Sequence, residues 1–512
     1  MKKALGFFVM LLLASTLSAE SNDVDTRIKR VERGLFPSAR IKDGPTWTIE
    51  ERMRNYQVPG LAVAVIHDFK IDWAKGYGVI ESGSDNPVTT ETLFQAASIS
   101  KPVGAVVALW LVEHGQLDLD SPVNDRLKSW KIPDNELTKK EKVTLRRILT
   151  HTAGLTVQGF RGYDVAGGEE VPTIIEVLDG KKPANSDPVR VDIVPGKRFR
   201  YSGGGFTVMQ LLIEDMTGRP LHELCVELIF TPLEMTNSSI EKPLPEDLYT
   251  KISAGHLGDG AIIEGYWFLP HGSVCCGLWT SPVDLAKFAI ELQKSLIGES
   301  NKILSVEMTK EMLSPHKGEN FGLGMGLAGE DDDIYFTHSG GNQGFRCILI
   351  AHRDKGYGAA VMTNSDNGGP LFNEIVRSIA YEYGWDGFLP KEHDSIDDLI
   401  SSYRKKKKKD PGDRLVAEGN LNRLGYEMMQ AGDFAAAIAI LSLNVEFNPK
   451  SANCYDSLAE AYMLKGEREA AITYYKKTLE ILEEYPKENE RFQNLKANAA
   501  KHLEELQSSE KE

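Results

Sequence analysis

Cysteine is scarce in this chain of 512 residues. The five present, Cys225, Cys275, Cys276, Cys347 and Cys454, show no C-x-x-C spacing. That excludes a zinc cluster of paired ligands and a dithiol redox motif. His256 and His271 also have no partner at ligand spacing, so neither a metal nor a cofactor is expected. Basic charge is short as well: 59 Lys and Arg against 74 Asp and Glu leave a net charge of -15. A nucleic-acid binder needs a basic footprint, so that class is set aside. Long apolar runs are missing. The best candidate, residues 4–14, falls below the roughly 20 residues that span a bilayer. It follows Lys2 and Lys3 and precedes small residues ending at Ala19. This is the layout of an export signal over 1–19, with no membrane span beyond it and a periplasmic or secreted mature protein. No cysteine follows the cut, so no lipid anchor is indicated.

What is present divides the remainder into segments. Residues 60–67, GLAVAVIH, read as a buried strand, and 71–77 as its hairpin partner across Asp68, Phe69 and Lys70. Residues 333–338, 345–351 and 357–363 read as consecutive antiparallel strands with Gly-rich turns. Between the two groups lie helices at 207–217, 221–230 and 281–298, and a helix at 371–383 closes the section. Residues 160–186 read as a long surface loop that shapes a cleft. Strands far apart in sequence can share one sheet. The expectation is an α/β (α+β) domain over 20–387, an antiparallel sheet flanked by helices with a helical insert.

Residues 388–413 read as a polar linker holding the basic run 404–409. Beyond Arg414 the chain repeats: Gly432 matches Gly466, Leu424 matches Leu458 and Ala437 matches Ala471 at one offset. The period and the small and tyrosine positions fit the tetratricopeptide pattern. Residues 414–512 therefore read as an all-α repeat domain with a cap helix over 491–506. Two copies fall below the roughly three that usually bury a continuous core. A protein partner or self-association through 414–512 is expected.

The chemistry gathers at Ser98 and Lys101, at the start of the apolar run 103–111. Three residues apart on a helix, the two side chains share a face. A serine nucleophile needs a proton acceptor beside it, and a lysine acts as one when its pKa falls. Ser98 would also sit where helix N–H groups favour negative charge. Two Gly-rich stretches supply further parts. In Tyr201-Ser202-Gly203, the phenol is a candidate base beside a lysine cation. In His338-Ser339-Gly340-Gly341, a strand end with glycines lets a substrate approach the main chain and an N–H reach an oxyanion. His151 reads as a capping or packing residue, and Asn364 and Asp366 as equally suited to a turn or to the cleft.

Ser98-Ile99-Ser100-Lys101, Tyr201-Ser202-Gly203 and His338-Ser339-Gly340, with 149–155 (LTHTAGL), resemble the motifs of the serine β-lactamase-related family. That family includes class C β-lactamases, penicillin-binding proteins, D-aminopeptidases and esterases. The resemblance covers about 45–385 and implies a β-lactamase/transpeptidase-like fold. It implies an acyl-enzyme on Ser98, acid and base work by Lys101 and Tyr201, and an oxyanion hole from the N–H groups of Ser98 and Gly341. His338, Ser339 and Gly340 would then face the substrate. Two positions depart from the family pattern. Gly203 replaces the usual Asn, and His338 replaces the Lys that binds a substrate carboxylate. Both favour a short ester or a D-amino-acid or peptidoglycan-derived amide over a β-lactam or D,D-carboxypeptidase substrate, although Arg346 is a candidate for the missing charge. A catalytically weak interaction protein that uses the repeats is the reading from another class. The intact Ser98, Lys101 and Tyr201 argue against it.

Overall fold

The computed structural model of the chain describes residues 23–270, 272–316, 320–485 and 490–508. The export signal expected over 1–19, and His271, lie outside the described residues. The chain forms two units: Thr48–Leu389 with the chain before Arg33, and Arg33–Trp47 with the chain from Pro390. Among the described residues, no helix is long and apolar enough to cross a membrane.

The first unit is built on the hairpin of β1 (Gly60–His67) and β2 (Lys70–Gly78). Asp68 and Phe69 turn at φ 53° and 55°, the handedness that suits tight hairpins of twisted strands. Late in the chain come β3 (Gly326–Glu330), β4 (Asp333–Asn342), β5 (Phe345–His352) and β6 (Gly358–Thr363). The sheet runs β2-β1-β6-β5-β4-β3 with every neighbour antiparallel. β6 returns onto β1, with Thr363 opposite Leu61 and Gly358 opposite Ile66, so both ends of the unit complete one sheet. Ala62, Ala64 and Ile66 join the large core with Phe288 and Leu292. Leu61, Val63 and Val65, on the other face, are equally buried. Cover on both faces is why β1 reads as an unbroken apolar run.

Five helices frame the sheet: α1 (Ile49–Tyr56), α2 (Ser100–Glu113), α3 (Gly203–Thr217), α4 (Pro282–Leu296) and α5 (Gly368–Glu382). α4 packs along β1, β2, β5 and β6, while α5 packs on β5, β6 and α1. Between α1 and α5, the buried Arg52 donates to Glu374 from Nε at 2.7 Å and Nη2 at 2.6 Å, and the Tyr56 hydroxyl donates to Glu374 at 2.7 Å. α3 starts at Gly203, earlier than the expected 207. Ser202 caps it, its Oγ accepting the Gly205 N–H at 3.0 Å. That cap and close burial outweigh the poor helix propensity of three glycines.

In the second unit a short parallel strand pair, Arg40–Ile41 with Glu392–His393, precedes a helical C-terminal region that is consistent with a helical repeat domain. Where a linker is expected, α6 (Ile396–Lys409) forms. Ser395 caps it, Asp397 and Asp398 lie in its first turn and lysines fill its last, which suits the helix dipole. Leu399, Ile400 and Tyr403 are buried at helical spacing. Then come α7 (Glu418–Gln430), α8 (Phe434–Phe447), α9 (Ala452–Lys465), α10 (Arg468–Leu482) and α11 (Glu490–Ser508). Each helix packs on the next. Gly432 and Gly466 follow α7 and α9 at φ 75° and 85°, where a left-handed residue ends a helix. Residues 33–47, expected in the first domain, belong here. The Ser38 N–H and hydroxyl both donate to Glu427 at 2.7 Å. Nothing in that short polar stretch announces the pairing.

Candidate active site

Ser98 lies in the single turn Ala97–Ile99 that feeds α2. Ala97 holds φ at 47°, a costly conformation for a residue with a Cβ. The turn is pinned from both sides. The Ala96 N–H donates to the Leu278 carbonyl at 2.8 Å. The Leu278 N–H donates to Ser100 Oγ at 2.9 Å, and that hydroxyl donates to the Ala97 carbonyl at 2.6 Å. α2 is buried nearly all round. Pro102 sits in its first turn, where no intrahelical N–H is needed.

Lys101 is 2% exposed. Its Nζ donates to Ser98 Oγ at 3.1 Å and to the Cys275 carbonyl at 2.7 Å. It also stands 5.1 Å from the centre of the Tyr201 ring. Burial disfavours the ammonium. Electrostatic interactions with Tyr201, Cys275 and Cys276, and a hydrogen bond to Tyr201, outweigh this and raise the Lys101 pKa above the ordinary value. The sequence called for the opposite, a depressed lysine able to take a proton. The structure instead gives a fixed ammonium that donates to the serine oxygen and attracts the phenol oxygen.

His338 lies on β4 and is 6% exposed. Its Nδ1 lies 2.8 Å from the Ser339 carbonyl. A carbonyl only accepts, so Nδ1 carries the proton and Nε2 is an acceptor. Nε2 is buried without a partner. Burial, then the charge of Lys101, push the His338 pKa down to about 3, against the hydrogen bond to Ser339. The ring is therefore neutral near pH 7. Tyr201 lies 6.3 Å away, centre to centre.

The glycines of the third motif act through close approach. A Cβ on Gly340 would lie 2.1 Å from the Ala96 carbonyl oxygen, so only glycine lets β4 lie against the turn of Ser98. β3 pairs with β4 only as far as Thr337, whereas β5 pairs as far as Asn342. One edge of residues 338–342 is thus left without a strand partner, and Ser339 and Gly341 are exposed. Main-chain groups on such an edge can pair with an extended acyl group.

The departures in the motifs have structural counterparts. A Cβ on Gly203 would meet the Gln158 carbonyl oxygen at 3.1 Å and the Phe160 ring at 3.2 Å. The loop beginning at Phe160 occupies the space that an asparagine amide would need. Arg346 does not supply a free charge. Its Nη2 pairs with Asp366 at 2.9 Å, and its Nη1 donates to the Asn342 and Phe345 carbonyls at 2.5 and 2.8 Å. Asn364 proves structural: it accepts the Gly60 N–H at 2.7 Å and donates to Ser253 Oγ at 2.9 Å. His256 ties Ser82 to Asn364. All five cysteines are buried and none forms a disulfide. The residue that sequence reasoning undervalued is His151. It is 2% exposed, and its ring lies 4.2 Å from that of Tyr201. Its one signal was its place in LTHTAGL.

Serine hydroxyl, ammonium, phenol and an open strand edge converge, which is the equipment for acyl transfer. Comparison with known proteins agrees. The β-lactamase family model matches residues 47–382. Over 343 residues the chain is 27% identical to penicillin-binding protein 4 of Amycolatopsis lactamdurans, covering 64% of this chain and 86% of that protein. The octameric penicillin-binding protein homologue of Pyrococcus abyssi superposes with a TM-score of 0.55 at 25% identity, covering 71% of this chain and 80% of that one. The D-amino acid amidase of Ochrobactrum anthropi SV3, in complex with L-phenylalanine, shares the fold at a TM-score of 0.54 and 20% identity, covering 71% and 98%. The chain belongs to the serine β-lactamase-related family and is a serine hydrolase with a helical unit appended.

Proposed function

We propose that the protein is an exported hydrolase that works through an acyl-enzyme on Ser98. Its substrates are short esters or D-amino-acid or peptidoglycan-derived amides without a carboxylate at the third-motif position. The observation that carries this reading is the neutral His338. Where the family pattern has a lysine cation, this pocket offers an unpartnered acceptor atom. Such an atom favours a hydrogen-bond donor and leaves a substrate carboxylate unpaired. Arg346, held by Asp366, does not take the role.

The chemistry assigns the roles. Tyr201 reacts as the tyrosinate, with the Lys101 ammonium beside it. Tyr201 takes the Ser98 proton as Oγ attacks the carbonyl carbon, and the N–H groups of Ser98 and Gly341 hold the oxyanion. Tyr201 then passes the proton to the leaving alkoxide or amine. Water repeats the sequence on the acyl-enzyme and returns Ser98. The basic and apolar start of the chain, ending at Ala19, supports export. The repeats of 414–512 support a protein partner or self-association.

The test pairs wild type with Ser98→Ala on p-nitrophenyl esters and a fluorophosphonate probe. Wild type should label and turn over, and Ser98→Ala should lose about 10³-fold or more. Absence of both activities in wild type would sink the reading. A β-lactamase or D,D-carboxypeptidase is the second reading, favoured by the similarity to penicillin-binding protein 4. Nitrocefin turnover matching that of the esters would promote it.

A further inference from the structure

Tyr201 is the reacting group with the least obvious support, since it stands in a Gly-rich segment ahead of α3. Its two chain neighbours are both tied to one residue. The Arg200 N–H donates to the His151 carbonyl at 2.8 Å. The Ser202 N–H donates to His151 Nδ1 at 3.0 Å. Between these two bonds, the His151 ring lies against the phenol at 4.2 Å and a 32° tilt. Phe199, Phe206 and Phe321 close the remaining sides at 5.7, 5.1 and 5.0 Å. His151 itself adopts φ 55°, uncommon for a residue with a side chain. It does so directly after the short helix Leu145–Leu149 and Thr150. Strain of this kind persists where surrounding structure over-determines it, and it clusters at functional sites.

We infer that His151 is a positioning residue that clamps Tyr201 from both backbone neighbours, and that it does so only as the neutral Nε2–H tautomer. The inference rests on the acyl-enzyme reading above. Ser202 donates, so Nδ1 must be unprotonated and Nε2 carries the proton. A protonated ring would lose the Ser202 bond. It would also place a second buried cation near Lys101. The titratable groups facing His151 are Tyr201, Lys101 and His338. Burial, then the positive charge of Lys101, oppose its protonation.

Two substitutions separate the parts of the clamp. His151→Phe keeps a ring against Tyr201 but removes the acceptor for Ser202. His151→Asn loses the ring but places an amide oxygen near the Nδ1 position. The clamp predicts that His151→Phe lowers kcat about 10- to 100-fold with KM changed less than about threefold. It also predicts a shifted limb in the pH profile of kcat/KM and recovery of about tenfold in His151→Asn. Equal activity of both variants with wild type overturns the inference. So does a parallel loss in both that tracks a fall in melting temperature. Should neither variant fold, ¹⁵N-histidine NMR of wild type decides. The His151 signals should report an Nε2–H ring that does not titrate between pH 5 and 9. An Nδ1–H or a titrating ring would overturn the clamp. Tyr201→Phe separates the two layers. Full activity there rejects the acyl-enzyme roles, whereas loss there with active His151 variants rejects the clamp alone.

Discussion

Two glycines make the same concession in the two units, with different neighbours. A Cβ on Gly340 would be driven to 2.1 Å from a backbone oxygen, that of Ala96. A Cβ on Gly425, in the repeat unit, would reach 2.5 Å from Leu441 Cγ. A backbone oxygen in a pinned turn has nowhere to go, whereas a leucine side chain can change rotamer. The contrast extends to each unit as a whole. In the hydrolase unit the decisive contacts join distant segments: Gly340 to Ala96, Glu374 to Arg52, Thr363 to Leu61. In the repeat unit each helix packs on the next. Long-range contacts fix positions that chemistry needs, and neighbour contacts tolerate adjustment.

If that contrast is right, Glu374→Ala should have the largest effect. It leaves the Arg52 guanidinium buried and unpaired, at a cost of about 3–5 kcal/mol. Urea unfolding followed by ester turnover measures it, and a loss below about 1 kcal/mol would break the comparison. Gly340→Ala should come next, with about 100-fold lost from kcat/KM, because the nucleophile turn must move. Circular dichroism would show the fold retained. Gly425→Ala should be milder. Overpacking costs about 1–3 kcal/mol, but replacing a mid-helix glycine returns about 1 kcal/mol. The net is under about 2 kcal/mol in the unfolding of the repeats, with ester turnover unchanged. A loss of activity there as large as at Gly340 would erase the distinction.

The smallest effect concerns pH in the repeats. Burial, then the charge of Glu460, raise the Asp456 pKa to about 7, with His502 opposing. An unfolded aspartate titrates near 3.9, so the folded state binds the extra proton between about pH 4 and 7. The contribution of Asp456 to stability is therefore present below about pH 4 and lost as pH rises towards 7. Asp456→Asn should flatten that slope, read as hydrogen-exchange protection in α9 at pH 4.5 and 7.5. An unchanged slope would show that the buried Oδ1 is not the responsible group.

Legibility differed between the same two regions. The repeat period was readable because equivalent positions recur along one chain, and a helix pair is a local object. α6 was missed because its three buried apolar residues are dispersed among charges, so composition concealed periodicity. The strands of the hydrolase unit were readable from apolar runs, while their pairing was inferred only in outline. The helix after the second motif was expected only from 207, not from Gly203, because propensity alone cannot count the value of the Ser202 cap.

The sequence by itself determined which chemical groups the protein owns: Ser98, Lys101 and Tyr201 in two motifs, a glycine for asparagine at 203, and a histidine for lysine at 338 in a third motif. It also determined the offset at which Leu424, Gly432 and Ala437 recur as Leu458, Gly466 and Ala471. These are matters of residue type and spacing, and spacing survives in one dimension. Tertiary structure decided what those groups are. It made Lys101 a fixed cation by setting it beside Tyr201 and the Cys275 carbonyl. It made His338 neutral through burial and the Ser339 carbonyl, spent Arg346 on Asp366, and turned His151 from a packing residue into the support of Tyr201. Protonation, pairing and orientation depend on what lies within a few ångströms, and those neighbours come from distant parts of the chain.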